Sequence, residues 1–185
     1  VVVSCIYSRA SDWSDTLTWF LGDGVGAYVV GAVPDGEGFR AFHAVNTAES
    51  CGSFSYRLED SGDGPKAVIR AGAGAGNALR EVTPKTIREC CGGVAKRAGI
   101  ALADVDFFVP NTPLAWFTDT FAATLGIDKR KTISTYAQYA NMGPALNPVN
   151  LHSGLHRGLI HPGDDVVLFS IGSVSTAAAA LVRIG

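Results

Sequence analysis

Two asparagines occupy the positions best suited to chemistry. Asn111 stands in Phe108-Val-Pro-Asn-Thr-Pro-Leu-Ala-Trp116, and Asn141 in Tyr139-Ala-Asn-Met-Gly-Pro144, thirty residues later. Each follows a stretch that reads as a buried strand and precedes one that reads as a helix. Open sheets place their reacting groups at such strand ends. An Asn amide there can donate hydrogen bonds to an oxyanion as it develops. The residues by themselves leave a second reading open, that both are helix caps.

Other chemistry-bearing residues point to plainer roles. His152 and His156 share one face of a helix at i, i+4, but no H-E-x-x-H pattern or third ligand accompanies them, so a polar helix face is expected and no metal. His161 falls in a turn. Cys5, Cys51, Cys90 and Cys91 form no C-x-x-C pair, and reduced thiols are expected, with Cys5 a buried structural one. Gly22-x-Gly24-x-Gly26 lacks both the G-x-G-x-x-G spacing and a following helix. It enters a strand, so it reads as a close-packed turn and not as a phosphate loop.

Composition narrows the classes. With 185 residues, 47% apolar, 17% charged and a net charge of −2, the chain has enough for one well-buried domain and no electrostatic reason to bind nucleic acid or an anionic membrane. No apolar run has membrane-spanning length and no signal peptide is evident, so a cytoplasmic location is expected. Val1-Val-Val3 opens directly as a strand without an initiator Met, which reads as an excised piece of a longer polypeptide.

The elements that must position the two asparagines follow from pattern. Val1–Tyr7 reads as a fully buried strand and Ala27–Val33 as a second. Phe39–Val45, Ser53–Leu58 and Lys66–Arg70 read as further strands, and Ala71–Gly76 as a mobile loop. Thr83-Pro84 reads as the start of a helix running to Ala98. Strands are expected at Asp106–Val109 and Lys131–Thr135, helices at Leu114–Leu125 and Ala145–Arg157, and a closing antiparallel pair at Asp165–Ile171 and Thr176–Ile184. This order predicts an α/β fold, a mixed sheet with helices on its faces.

Five segments in order resemble ketoacyl synthase III proteins of the thiolase superfamily, in their C-terminal half. Phe20-Leu-Gly-Asp-Gly-Val-Gly-Ala27 is similar to that family's Phe-Gly-Asp-Gly-Ala-Gly-Ala turn. Asp106–Pro110 is similar to the strand leading to its His-Gln-Ala-Asn motif, and Thr135–Met142 to the segment ending in Gly-Asn-Thr/Ser. Pro162-Gly-Asp164 and Ser170-Ile-Gly172 resemble its closing strand and glycine turn. The resemblance covers nearly all of the chain. It implies half of a five-layer thiolase-like fold, a mixed five-stranded-type sheet with helices on both faces, pairing with an N-terminal half outside residues 1–185.

The family uses a Cys nucleophile on an elbow in the N-terminal half, with His and Asn from the C-terminal half. Asn141 falls on the family's Asn, and Asn111 falls where it has His. Asn111 can keep one donor but cannot move a proton. Ala140 replaces the Gly before the Asn, Met142 follows it, and the Gly motif near the coenzyme A entrance is not recognisable around Lys66–Ala75. The resemblance therefore implies an acyltransferase of specialised metabolism. An upstream Cys would take an acyl group from a coenzyme A or carrier-protein thioester and pass it to an acceptor, with Asn111 and Asn141 as catalytic residues. Trp116, Phe117 and Met142 are expected to line the substrate pocket, with plain core the competing role for the two aromatics. A decarboxylating 3-oxoacyl synthase and a non-catalytic partner subunit are the alternatives. No cofactor or metal is implied beyond the thioester substrate. The expected partners are the N-terminal half, covalently separate or proteolysed and still bound, a second copy as homodimer, and an acyl carrier protein or coenzyme A thioester.

Overall fold

The computed structural model describes residues 1–185. Its centre is a four-stranded mixed sheet. The strands are β3 (Gly38–Asn46), β6 (Phe107–Pro110), β7 (Asp165–Gly172) and β8 (Thr176–Arg183), in the order β3-β8-β7-β6. The β6–β7 pair is parallel and the other two are antiparallel. Thr132 bridges Phe108 beyond β6. Lys131–Thr135 is therefore a single bridge after a 3-10 turn at Lys129–Lys131, where sequence predicts a strand. Two antiparallel ribbons flank the sheet: β1 (Val2–Cys5) with β2 (Gly24–Ala27), and β4 (Phe54–Asp60) with β5 (Pro65–Ala71).

Helices pack on both faces. On one face lie α1 (Ala75–Ala98) and α2 (Phe117–Leu125). The row Phe108–Val167–Leu181–Ala41 runs across all four strands there and is buried throughout. Ile87, Cys91 and Val94 of α1 and Phe117 and Phe121 of α2 close over it. Phe108, Phe117, Phe121 and Phe169 interlock with ring centroids 5.4–6.5 Å apart, the range of edge and offset aromatic packing. On the other face lies α4 (Leu146–His156), preceded by the single turn α3 (Tyr136–Tyr139). The neighbouring row there is Val109–Leu168–Ala180–Phe42. It begins buried under α4 and ends with Phe42 48% exposed. One helix covers half of this face and leaves the β3–β8 half open.

Three expectations are corrected. Val1–Tyr7 is not fully buried: Val1 and Val2 are exposed, because only one side of the β1–β2 ribbon meets other elements. The second strand lies at Gly24–Ala27, and Val29, Val30 and Val33 after it are exposed and outside any strand. Helix α1 starts eight residues before Thr83, so Pro84 lies inside it and Ala71–Gly76 leads into it. Ala75, Leu79 and Thr83, four apart, form its buried stripe, and that packing outweighs the bond Pro84 cannot make. Arg70 of β5 bonds Asp12, Asp15 and Glu59 at 2.8, 3.1 and 2.5 Å, tying the second ribbon to the segment after β1.

Candidate active site

The chain leaves the sheet at Asn111, and its side chain takes over the ladder. The Asn111 backbone N–H donates to the Phe169 carbonyl at 2.8 Å, continuing the β6–β7 pairing. Nδ2 then donates to the Ile171 carbonyl at 3.1 Å, and Oδ1 accepts from the Ile171 N–H at 3.0 Å. A primary amide has the donor and acceptor of a peptide group, so it stands in for the next strand residue. Asn111 is 3% exposed. It borders the cleft described below, with Oδ1 and one N–H of Nδ2 held by β7 and the second N–H of Nδ2 without a protein acceptor.

Asn141 is held differently. Its backbone N–H donates to Phe20 O at 3.0 Å and its carbonyl accepts from Gly22 N at 2.9 Å, a parallel bridge at Leu21. Its Oδ1 accepts from Gly143 N–H at 2.8 Å, a local Asx turn. That bond fixes the amide orientation and leaves Nδ2 as a donor without a protein acceptor. The glycines of the Gly22-x-Gly24-x-Gly26 turn make this seat possible. A Cβ at Gly22 would collide with the Tyr139 carbonyl, at Gly24 with the Met142 thioether, and at Gly26 with the Pro148 ring. The close-packed reading of that turn holds, and its packing partner is the segment carrying Asn141.

Ala140, one residue earlier, has φ 54° and ψ −155°. That region of backbone space is almost confined to glycine, and an L side chain there stores about 1–3 kcal/mol of strain. Ser173 and Val174, in the β7–β8 turn across the cleft, also have positive φ, 49° and 65°.

Between these elements lies a cleft of about 390 Å³. Asn111, Asn141, Ser170 and Ser173 give it a polar side, while Leu17, Phe20, Phe54, Ile69, Leu79, Leu114 and Val174 make the rest apolar. No Lys, Arg, His, Asp or Glu lines it; Tyr7 is its one titratable side chain. Burial, with smaller contributions from nearby Cys5 and Tyr56, pushes the Tyr7 phenol well above its ordinary range. Burial also raises the Cys5 thiol beside it. The cleft can donate hydrogen bonds to an oxygen, but it offers no base at neutral pH.

The expected pocket aromatics lie elsewhere. Phe117 is fully buried and stacks on Phe169 in the core, with centroids 6.4 Å apart. Trp116 packs against the same cluster, and Met142, 3% exposed, fills the space left by Gly24. None of the three lines the cleft, because the loop after Asn111 turns Pro113 and Leu114 toward it instead. His152 and His156 share one helix face as expected, rings stacked at 5.9 Å, with no third ligand grouped near them.

Sequence reasoning missed Asn147 and Asn150 of α4. Asn147 Nδ2 donates to Val109 O at 3.1 Å and Phe169 O at 2.9 Å. Asn150, wholly buried, donates to Pro110 O at 2.8 Å and accepts from Thr135 Oγ1 at 2.7 Å. These amides add side-chain donors to carbonyls near the strand ends, the Phe169 carbonyl accepting from Asn147 as well as from the Asn111 backbone. The available signal was two asparagines at i, i+3 in a helix otherwise apolar on that side.

Several known proteins resemble this chain in sequence and fold. Residues 95–184 match the family model described as 3-oxoacyl-[acyl-carrier-protein] synthase III C terminal. The beta-ketoacyl-[acyl-carrier-protein] synthase III of Caulobacter vibrioides is 32% identical over 96% of this chain and 56% of its own length. The crystal structure of the Thermus thermophilus synthase III superposes on the whole chain with a TM-score of 0.88, at 26% identity and over 58% of that protein. The chain is ketoacyl synthase III-like. Its fold is the thiolase-like α/β fold, in the C-terminal portion. That of Oleidesulfovibrio alaskensis is 30% identical over 99% of the chain and 58% of its own length. This ketoacyl synthase III-like chain thus spans about half the length of the curated relatives it matches. No helix in it is long and apolar enough to cross a membrane.

Proposed function

We propose that residues 1–185 are the C-terminal half of an acyltransferase of the ketoacyl synthase III type. An N-terminal half supplies a Cys nucleophile, takes an acyl group from a coenzyme A or carrier-protein thioester, and passes it to an acceptor. The observation that carries this reading is Asn141: Gly143 locks its Oδ1, and its Nδ2 is a free donor at the rim of an apolar cleft at the strand ends. The half-covered face of the central sheet, with Phe42 open at its end, suits a second half packed beside α4. With no base in the cleft, an acceptor that is already nucleophilic fits better than one that must be deprotonated, and we place this transfer in specialised metabolism. Decarboxylative condensation remains the variant in which Asn141 alone steadies an enolate.

A second reading has its own support. The Asn111 amide is committed to the Ile171 backbone, as a purely architectural residue would be. That favours a non-catalytic partner subunit of a condensing enzyme.

Denaturing mass spectrometry of the full-length protein with a panel of acyl thioesters separates the two. A thiol-linked acyl adduct on the N-terminal half, discharged by acceptor in wild type and about 10²–10³-fold more slowly in Asn141→Ala, is the enzyme's result. No adduct from any donor, with the halves folded together, selects the partner subunit.

A further inference from the structure

We propose that the Tyr7 hydroxyl is a hydrogen-bond donor of the cleft, acting with Asn141 Nδ2 on one oxygen of an uncharged carbonyl group. The assignment rests on the acyl-transfer reading above and adds a hydroxyl to a site where the Asn111 amide is anchored on β7.

Tyr7 follows β1 and lines the cleft. Its hydroxyl rests against Gly143: a Cβ placed there would lie 2.9 Å from Tyr7 Oη and 3.0 Å from Cys5 Sγ. Gly143 is also the residue whose N–H holds Asn141 Oδ1. The phenol and the amide therefore flank a single glycine, and both border the same space. The Tyr7 hydroxyl makes no hydrogen bond to a protein oxygen or nitrogen, and the Cys5 thiol is the polar group beside it. A thiol is a weak acceptor, and a partly buried phenol normally finds a better one. A substrate oxygen would be that acceptor. Burial keeps the phenol protonated at neutral pH, so it stays a donor.

The lining of the cleft names the ligand class. No cation faces it, and a carboxylate or phosphate buried there would lack a counter-charge. Its apolar walls suit an aliphatic or aromatic acyl or acceptor group bearing a neutral carbonyl.

The test uses the full-length protein and follows two steps separately: acylation of the N-terminal half, and transfer to acceptor. Tyr7→Phe keeps the ring against Gly143 and removes only the hydroxyl. The expected result is an unchanged acylation rate with transfer slowed about 10- to 100-fold in kcat, the loss of one hydrogen bond to a carbonyl oxygen that gains charge in the transition state. Cys5→Ala, which removes the thiol partner, should leave transfer within about twofold. Wild-type transfer by Tyr7→Phe overturns the assignment. So does equal loss of both steps, which would mark Tyr7 as structural support. A malonyl thioester used as readily as an uncharged one overturns the neutral ligand class. Wild type that forms no adduct at all defeats the acyl-transfer reading itself, a result distinguishable from these.

Discussion

Ala140→Gly should make the protein more stable. Ala140 holds φ 54° and ψ −155°, where its Cβ crowds its own backbone. Such a residue stores about 1–3 kcal/mol. The conformation is imposed from both sides. The Ala140 N–H donates to Tyr136 O at 2.8 Å, ending α3, while Asn141 is pinned to Phe20 and Gly22. Glycine removes the clash but makes the unfolded chain freer, at a cost of about 0.4–1 kcal/mol. The balance is a gain of up to about 2.6 kcal/mol, with a rise in Tm of about 2–4 °C per kcal/mol for a chain of this size. Urea midpoints of the full-length protein, with m unchanged, give the cleanest measure. A loss of stability on Ala140→Gly would refute the argument, because it would mean that this backbone does not strain an L residue. Relaxation next to Asn141 should also show in transfer kinetics, with a lower kcat if the strain helps hold Nδ2 in place.

Four further outcomes follow from described contacts. Asn111→Ala leaves the buried Ile171 N–H and carbonyl unpaired, and should cost about 2–4 kcal/mol in denaturant unfolding. Asn111→Asp keeps the acceptor and loses the donor, so it should also destabilise. Gly22→Ala drives a methyl into the Tyr139 carbonyl and should cost about 1–3 kcal/mol, with the Asn141 segment displaced in a crystal structure. Burial pushes the Cys90 thiol from 9.0 to about 11 and raises Cys91 and Tyr7 as well. These groups are neutral in the folded protein, so the Cys90 contribution is whole below pH 9 and is lost as pH rises from about 9 toward 11, while those of Cys91 and Tyr7 are lost over a range that extends higher. Denaturant midpoints should fall over that window, and a flat profile would contradict it. At pH 8 a thiol reagent should label exposed Cys51 well before Cys90 or Cys91.

Much of the central sheet was legible because its strands are apolar on both faces and its turns carry Gly and Pro. The helix after β5 was misjudged at its start because Thr83-Pro84 is a strong local signal, while the stripe Ala75–Leu79–Thr83 lies in a glycine-rich stretch. The exposed Val29 and Val30 misled in the opposite sense. A continuous apolar run signals burial on two sides, and in residues 1–185 no layer covers them. At the site, the position of Asn111 was legible and its bonding was not. A strand-end asparagine reads the same whether its amide faces a ligand or a neighbouring backbone. Trp116 and Phe117 looked like pocket residues because they follow Asn111 directly, yet α2 turns them into the aromatic core. Tyr7 carries no local signature, since it reaches the cleft only through the packing of the β1–β2 ribbon on the Asn141 segment.

The two amides of α4 divide the labour between framework and loop. Asn147 and Asn150 grip carbonyls near the ends of β6 and β7 from the side and so tie those strands to α4. Pro113 and Leu114 face the cleft without making any bond of that framework. Laboratory evolution of substrate range therefore has a natural library here. Randomising Pro113 and Leu114 should redraw the cavity wall while most variants still express and melt like the parent.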